Sequence, residues 1–297
     1  MSDLGFESSP EERWRMLGAN AAAARFFRRE LLRATGGWPA EYLKDAGIEH
    51  VLSTESTWKV GYAPDTWSNL VDHLRSEGFS HATMVRAGLM RWTNDGDAID
   101  RYRDELVLVA RDHQMLSAGF IGIGPEGIAR SLTPATAVHR PSNVLVGIEE
   151  QIDLLRGGAM PVIVDDPADA IAISQMSRQR DGQWAAIPVC GDALSTAQVR
   201  LLRKFSMTDS VAVMISGDER SQLRGLGFIP DLMLQYDRVR AVALPGSGRE
   251  FTALADAPDR LHELLTTAPP TVSYRVGSRT APLISPDPEP PDRGLDL

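Results

Sequence analysis

Short apolar segments that alternate with helical patterns dominate the second half of the chain. The first segment is unbroken and β-branched, which is typical of a strand buried on both faces. The four segments are Pro161–Val164, Ala185–Val189, Ser210–Ile215 and Val239–Leu244. A helical pattern follows each of the four segments in turn. The first begins after Pro167, the second covers Ser195–Phe205, the third ends at about Leu226 and the fourth covers about Glu250–Thr266. Strands and helices alternating at this spacing predict an α/β fold with a doubly wound parallel sheet.

The first half of the chain has a different, mixed pattern. Ser9-Pro10-Glu11-Glu12 is a helix-start signal, and an alanine-rich segment with helical spacing follows over Arg13–Leu32. Further along, the pattern predicts short helices at Leu70–Arg75 and Ala82–Gly88 and strands at Leu106–Val109 and Leu116–Ile123. We therefore expect an α+β unit that precedes the parallel sheet.

Acidic residues stand where two of the predicted parallel strands end. Asp165 and Asp166 directly follow the first strand, and Asp169 comes about one helical turn later. Ser216, Gly217 and Asp218 follow the third strand. The carboxyl ends of parallel strands share one edge of a sheet, which is where open α/β sheets bind ligands. Carboxylates gathered there suit Mg²⁺ or Mn²⁺, which prefer oxygen ligands.

Composition narrows the function classes. The 297 residues carry a net charge of −9, which argues against nucleic acid coating the whole surface but not against a local basic groove. We expect no membrane span and no signal peptide, and a cytoplasmic location by default. Cys190 is the only cysteine, so we expect neither an internal disulfide nor a cysteine-based zinc site.

Several common catalytic motifs are missing from the sequence. It has no G-x-x-x-x-G-K-[ST] phosphate loop and no G-x-S-x-G nucleophile elbow. The glycines of Gly119–Gly124 do not open a helix with a dinucleotide fingerprint. His139 is expected to be a packed or surface histidine rather than a metal ligand.

The second half resembles the TOPRIM domain, which bacterial DnaG-type primases share with topoisomerases. The family pattern V-E-G-Y-x-D corresponds to Val164-Asp165-Asp166-Pro167-Ala168-Asp169, in which Asp165 takes the place of the glutamate. The family pattern D-G-D corresponds to Ser216-Gly217-Asp218, so its first aspartate is replaced by serine. Between them, Gly191–Leu202 is similar to G-x-A-L-[ST]-x-x-Q-x-x-L. Most acids of a third family cluster are missing near Leu244–Glu250.

The first half resembles the RNA-polymerase-like N-terminal part of the same primase core. Trp38–Ile48 is similar to A-x-x-Y-L-x-x-R-G-[IL], and Gly61-Tyr62-Ala63-Pro64 with Trp67 and Leu70 matches the family's G-Y-A-P-x-x-W-x-x-L. Asp100-Arg101-Tyr102-Arg103 matches D-[RK]-[FL]-R. The resemblance covers about residues 20–268. It implies residues 1–142 as the N-terminal subdomain, 143–268 as the TOPRIM domain and 269–297 as an acidic, proline-rich tail.

The resemblance also implies roles for particular residues. Asp165 and Asp218 would be catalytic, and Asp165, Asp169 and Asp218 would hold Mg²⁺ or Mn²⁺. The residues expected to face single-stranded DNA and nucleotides are Arg101, Arg103, Arg111, Arg130 and Arg140. Alternatively, Arg101 and Arg103 pair with Asp100 and Asp104 on the surface.

A second basic cluster has no counterpart in the family patterns quoted above. It lies on the later half of the first predicted helix and consists of Arg25, Arg28, Arg29 and Arg33. It is either a phosphate-facing surface or a solvated helix face with cations near the C-terminus.

Two functions remain open at this stage. One is a non-catalytic, primase-like protein of DNA replication or mobile-element maintenance, which binds single-stranded DNA or a partner such as a helicase or relaxase. The other is an active primase that makes RNA primers with a divalent metal. The replaced carboxylates at Asp165 and Ser216 favour the first.

Overall fold

The computed structural model describes residues 8–127, 129–191, 193–215, 219–244, 248–268 and 272–273. Its helices are α1 (Pro10–Arg33), α2 (Trp38–Asp45), α3 (Asn69–Ser76), α4 (His81–Ala87), α5 (Ile152–Arg156), α6 (Pro167–Arg178), α7 (Thr196–Phe205), α8 (Glu219–Met233), α9 (Gly248–Thr252) and α10 (Ala257–Thr267). Its strands are β1 (Gly61–Ala63), β2 (Met90–Trp92), β3 (Ala98–Asp100), β4 (Glu105–Arg111), β5 (Ser117–Ile123), β6 (Ala129–Leu132), β7 (Leu145–Val146), β8 (Met160–Val164), β9 (Trp184–Pro188), β10 (Ser210–Ile215), β11 (Arg238–Ala243) and β12 (Val272–Ser273).

An antiparallel sheet forms the centre of the first half. Its order is β1-β4-β5-β6, and β7 pairs with the far end of β4. The central strand β4 is apolar on both faces: Leu106 and Leu108 point into one core, Val107 and Val109 into another. Helix α1 covers the second of these faces. Both faces are therefore buried, which explains why β4 is a continuous apolar run.

Helix α1 begins as the sequence predicts and packs very closely on β1. The Ser9 hydroxyl accepts from the Glu12 N–H at 3.2 Å, and the Glu12 carboxylate accepts from the Ser9 N–H at 2.9 Å, which completes a capping box. A Cβ added at Gly61 would overlap with Phe27 of α1. Gly61 is therefore needed for this close approach, so the Gly61–Pro64 motif is a packing motif.

A largely parallel sheet forms the second half, in the order β12-β11-β10-β8-β9. Strands β8 to β11 are parallel, and only β12 runs against its neighbour. Helices α6 and α10 pack on one face, in a core continuous with the first sheet, and α7 and α8 pack on the other. The predicted α/β fold class with a doubly wound parallel sheet is confirmed.

Two local predictions are wrong. Helix α8 continues to Met233 instead of ending near Leu226. The single helix expected over about 250–266 is two helices, because Pro258 lacks an N–H and starts the first turn of α10. Within the described residues, no helix is both long and apolar enough to cross a membrane.

Candidate functional site

The carboxyl edge of the parallel sheet contains a topological switch point. Neighbouring strands β8 and β10 run parallel, with Ala212 beside Val162 and Val213 beside Ile163. The helices that follow them diverge, since α6 packs on one face of the sheet and α8 on the other. A crevice opens where successive helices diverge in this way, and open α/β sheets bind their ligands there. Asp165 and Asp166 directly follow β8, at this edge.

Asp165 and Asp166 lie at the end of β8 and have different environments. The side chain of Asp165 is 20% exposed. Asp166 is the N-cap of α6, and its Oδ1 accepts from the Ala168 N–H at 2.8 Å. The capping bond orients Asp166 toward its own helix. Asp165 is therefore the carboxylate of this pair that is placed to act at the edge.

Asp169 occupies the first turn of α6 and is buried, with 8% exposure. Its carboxylate packs against Gly248 at the start of α9, where an added Cβ would overlap with the carboxylate oxygens. Ser216 and Asp218 lie outside the described residues. In the part of the chain that the structure describes, no three His, Cys, Asp or Glu side chains are grouped closely enough to hold a metal ion.

Arg224 of α8 was missed by sequence reasoning, yet it reaches the same edge. Its guanidinium lies 3.7 Å from the Asp165 carboxylate and donates to the Gly191 carbonyl at 3.0 Å. A fixed positive charge therefore stands beside the carboxylate that the sequence assigns to a metal. Arg224 lies more than fifty residues from Asp165 along the chain, and no spacing pattern connects the two.

An apolar cavity of about 290 Å³ lies beside this edge, between the first sheet and the end of β9. Cys190 lines it, and burial raises the pKa of its thiol to about 12. His139 also lines it, with Nδ1 3.1 Å from the Pro134 carbonyl, and burial lowers its pKa. The prediction that His139 is packed rather than metal-binding agrees with this contact.

The predicted basic residues around the D-[RK]-[FL]-R motif have unequal surroundings. Arg103 lies over the Trp67 ring, 5.2 Å from its centroid, and pairs with Asp65 at 3.0 Å. Arg101 is half-buried, and its Nε is a buried donor without a hydrogen-bond partner among the described residues. The first residue of the motif, Asp100, has a structural role described next.

The alternative pairing of Arg101 and Arg103 with Asp100 and Asp104 is wrong. Asp100 is buried and accepts from the backbone N–H groups of Leu70 and Val71, at 2.9 and 3.0 Å, which caps α3. Burial raises the pKa of Asp100 to about 6. Asp104 instead accepts from the Trp38 indole at 2.5 Å and from the Tyr62 hydroxyl at 3.0 Å. Both acids are needed by the fold, so neither is available to an arginine.

The remaining predicted basic residues are dispersed. Arg111, at the end of β4, is mostly buried, donates to the Ser117 hydroxyl at 2.8 Å and pairs with Glu149. Arg140 is exposed ahead of a short 3₁₀ turn. Arg130 lies in β6, and its side chain is outside the described part of the structure.

Comparisons with known proteins agree with this architecture. A family model described as the DNA primase catalytic core, N-terminal domain, matches residues 26–138. The DNA primase of Deinococcus radiodurans is 29% identical over 265 residues, which are 88% of this chain and 44% of that protein. The DNA primase of Streptomyces coelicolor is 27% identical over 279 residues, 89% of this chain and 42% of that one. The chain thus spans less than half the length of these curated relatives.

Solved structures show the same fold over most of the chain. The RNA polymerase domain of the Mycobacterium tuberculosis primase DnaG superposes with a TM-score of 0.71 at 23% identity, covering 87% of this chain and 84% of that one. A DnaG primase catalytic domain bound to single-stranded DNA gives a TM-score of 0.71 at 18% identity, covering 88% and 84%. By its sequence matches and its fold, the chain is similar to the catalytic core of bacterial DnaG-type DNA primases.

Proposed function

We propose that this chain is a primase-like protein of DNA replication or mobile-element maintenance that binds single-stranded DNA or a replication partner, with weak or lost primer synthesis. The observation that carries the proposal is the 3.7 Å approach of Arg224 to Asp165. A divalent metal at this edge requires carboxylates that are not already neutralised. Arg224 supplies a fixed counter-charge where the resemblance implies a metal ligand.

The carboxylate set supports the same conclusion. Asp165 is one methylene shorter than the glutamate of the family pattern, and a misplacement of about an ångström lowers a catalytic rate about a hundredfold. Ser216 removes one formal negative charge from the second acidic motif. Asp166, the additional acid, is engaged as the cap of α6. These changes weaken both the affinity for a metal and its placement.

Binding of single-stranded DNA is supported by the surroundings of Arg103. A guanidinium held over an exposed indole offers a phosphate a positive charge and offers a base a stacking surface. Trp67 is 52% exposed, so the ring is accessible. Arg101 and Arg140 add positive charge, and Arg130 is retained as a candidate from the sequence. Charge-assisted contacts of this kind bind phosphate without reading sequence.

An active primase is the second candidate, and the carboxyl edge itself favours it. Asp165 still ends a strand at the switch point, and Asp218 is expected beside it. Asp165, Asp169 and Asp218 would hold Mg²⁺ or Mn²⁺, which would activate the primer 3′-hydroxyl and stabilise the departing pyrophosphate. We also propose the division into residues 1–142, 143–268 and 269–297, and a helicase or relaxase among possible partners.

One experiment separates the two candidates. Anisotropy of a labelled oligonucleotide measures binding in EDTA and in Mn²⁺, and nucleotide incorporation on a single-stranded template measures synthesis. The proposal predicts equal binding in both buffers for the wild type and for Asp165→Asn, with at most a trace of product from the wild type. Abundant metal-dependent product that disappears in Asp165→Asn would establish the active primase instead. Failure of the wild type to bind any oligonucleotide would show that the DNA-binding part of the proposal is wrong.

A further inference from the structure

A groove rich in arginine lies between α1 and the antiparallel sheet. Its volume is about 530 Å³. Its charged lining, which we call the α1 groove, consists of Arg25, Arg28, Arg29, Arg33, Lys59 and Arg111. All six residues belong to the first half of the chain, whereas Asp165 belongs to the second sheet. The α1 groove and the apolar cavity beside the carboxyl edge have no lining residue in common, so they are two separate openings.

The α1 groove carries an excess of positive charge, although the protein as a whole is acidic. The acids that contact its basic residues are Glu30, Glu77 and Glu149, so six positive groups face three negative ones. The chain as a whole carries a net charge of −9. A local excess of about three positive charges in such a chain attracts anions selectively to this groove.

The arginines of α1 divide into one that supports the fold and three that face solvent. Arg28 is half-buried and donates to the carbonyls of Ser53 and Val60, at 3.0 and 3.1 Å. By contrast, the side chains of Arg25 and Arg33 are 67% exposed and that of Arg29 is 41% exposed. Their ion pairs, at 3.1 to 3.5 Å, are partly solvated and of the kind that contributes little. A phosphate can therefore displace them.

Two donors in the α1 groove make no hydrogen bond within the described residues. Nε of Arg111 is one, and the other is Nε of Arg29, which lies 3.5 Å from the Glu30 carboxylate without forming a hydrogen bond with it. A buried donor left without a partner lowers stability unless a ligand or water satisfies it. These two N–H groups favour an anionic ligand with several oxygen atoms.

The spacing along α1 suits a polymer more than a small anion. Arg25, Arg29 and Arg33 follow one another every four residues, which places them about 6 Å apart along the helix axis. Neighbouring phosphates of an extended strand are separated by a similar distance. The lining has no aromatic side chain among the described residues, so stacking of bases is not provided. The groove matches a sugar–phosphate backbone and is indifferent to base identity.

We propose that the α1 groove is a second binding surface for single-stranded nucleic acid, which holds the phosphate backbone through Arg25, Arg29 and Arg33. The proposal rests on the DNA-binding part of the proposed function and extends it to a surface whose lining contains none of the residues of the carboxyl edge. Of the two alternatives left open by the sequence, it takes the phosphate-facing surface, because these arginines line a groove rather than a flat helix face.

The test compares two triple variants that change the net charge equally. Arg25→Gln/Arg29→Gln/Arg33→Gln alters the groove, and Arg15→Gln/Arg75→Gln/Arg260→Gln alters exposed arginines elsewhere. Binding of a fluorescent thymidine oligonucleotide is measured by anisotropy from 50 to about 300 mM KCl. Loss of three phosphate contacts reduces the slope of log K against log salt by about 2, since each single-strand contact contributes about 0.7. The control triple variant keeps the wild-type slope, as does the triple lysine variant of the groove.

The outcomes distinguish failure of this inference from failure of the proposed function. If the wild type binds the oligonucleotide and both glutamine variants behave alike, the groove assignment is wrong while DNA binding stands. If the wild type does not bind, both are wrong. If the groove variant loses binding only to phosphatidylserine vesicles, the surface is a membrane site, and the nucleic-acid assignment is overturned. Matching circular dichroism spectra establish that the variants are folded.

Discussion

Glu150 provides the most quantitative test of the structure, because it is a buried carboxyl group in the 3₁₀ turn Glu149–Gln151. Its side chain is 7% exposed and its Oε2 has no hydrogen-bond partner among the described residues. Burial raises the pKa of Glu150 from 4.5 to about 7, against the opposing charges of Arg111 and Lys59. Folding therefore favours the protonated form of this group.

The raised pKa fixes the sign of the pH dependence. Between pH 4.5 and 7 the folded state binds more protons at Glu150 than the unfolded state does, so the free energy of unfolding decreases as the pH rises. The contribution of Glu150 to the free energy of unfolding is largest below pH 4.5, decreases between pH 4.5 and 7, and does not change further above pH 7. From pH 5 to pH 8 the expected loss is about 2 to 3 kcal/mol.

The perturbation is Glu150→Gln, which keeps the shape and removes the titration. The free energies of unfolding of both proteins are measured from urea curves followed by tryptophan fluorescence at pH 5 and pH 8. The free energy of unfolding of the variant minus that of the wild type should be about 2 to 3 kcal/mol larger at pH 8 than at pH 5. This double difference cancels packing effects that do not depend on pH. The exposed Glu41→Gln is the matched control.

Equal pH dependence in Glu150→Gln and the wild type would refute the reasoning, because it would mean that Glu150 is solvated or paired in the folded state. A pH dependence of the opposite sign, with the wild type gaining stability as the pH rises, would show that Arg111 and Lys59 outweigh burial.

Three further predictions concern the fold and the edge. Asp166→Ala should lower the free energy of unfolding by about 1 kcal/mol through loss of the α6 cap, whereas Asp166→Asn should keep most of the wild-type stability. The midpoints of urea unfolding of the two variants test this difference. Gly119→Ala should lower the free energy of unfolding by about 1 to 3 kcal/mol in the same urea experiment, because a Cβ would overlap with His139 and Thr133. Gly36→Ala, which has open space around it, should leave the free energy of unfolding unchanged. Arg224→Gln should tighten Mn²⁺ binding roughly fivefold by removing the cation beside Asp165; an unchanged affinity in an electron paramagnetic resonance titration would contradict this role.

The parallel sheet was accessible from the sequence because its signals are local. Uninterrupted β-branched runs predict its strands, and the helical pattern over Ser195–Phe205 corresponds to α7, which begins with a complete capping box of Ser195 and Gln198. The short strands of the first half carried weaker signals. The hairpin of β2 and β3 was missed, although Asn94-Asp95-Gly96 between them is a turn signal.

The arrangement of the site was less accessible, because it depends on contacts between distant segments. Arg224 reaches Asp165 because α8 packs on β10, which is the neighbour of β8 in the sheet. The motif residues Asp100 and Arg103 were identified by pattern, but Asp100 caps α3 and Arg103 pairs with Asp65, and neither partner follows from spacing. Residue types predicted the chemistry, whereas tertiary packing decided which side chains are available for it.

The central claim is that replacement of acidic residues at the carboxyl edge has weakened primer synthesis. The direct measurement is incorporation of ribonucleotides on a single-stranded template in Mn²⁺, with wild type and the restored variant Asp165→Glu/Ser216→Asp side by side. The account predicts that the restored variant makes more product than the wild type at equal oligonucleotide binding. Wild-type synthesis that equals or exceeds that of the restored variant, and that is abolished by Asp165→Asn, would contradict it.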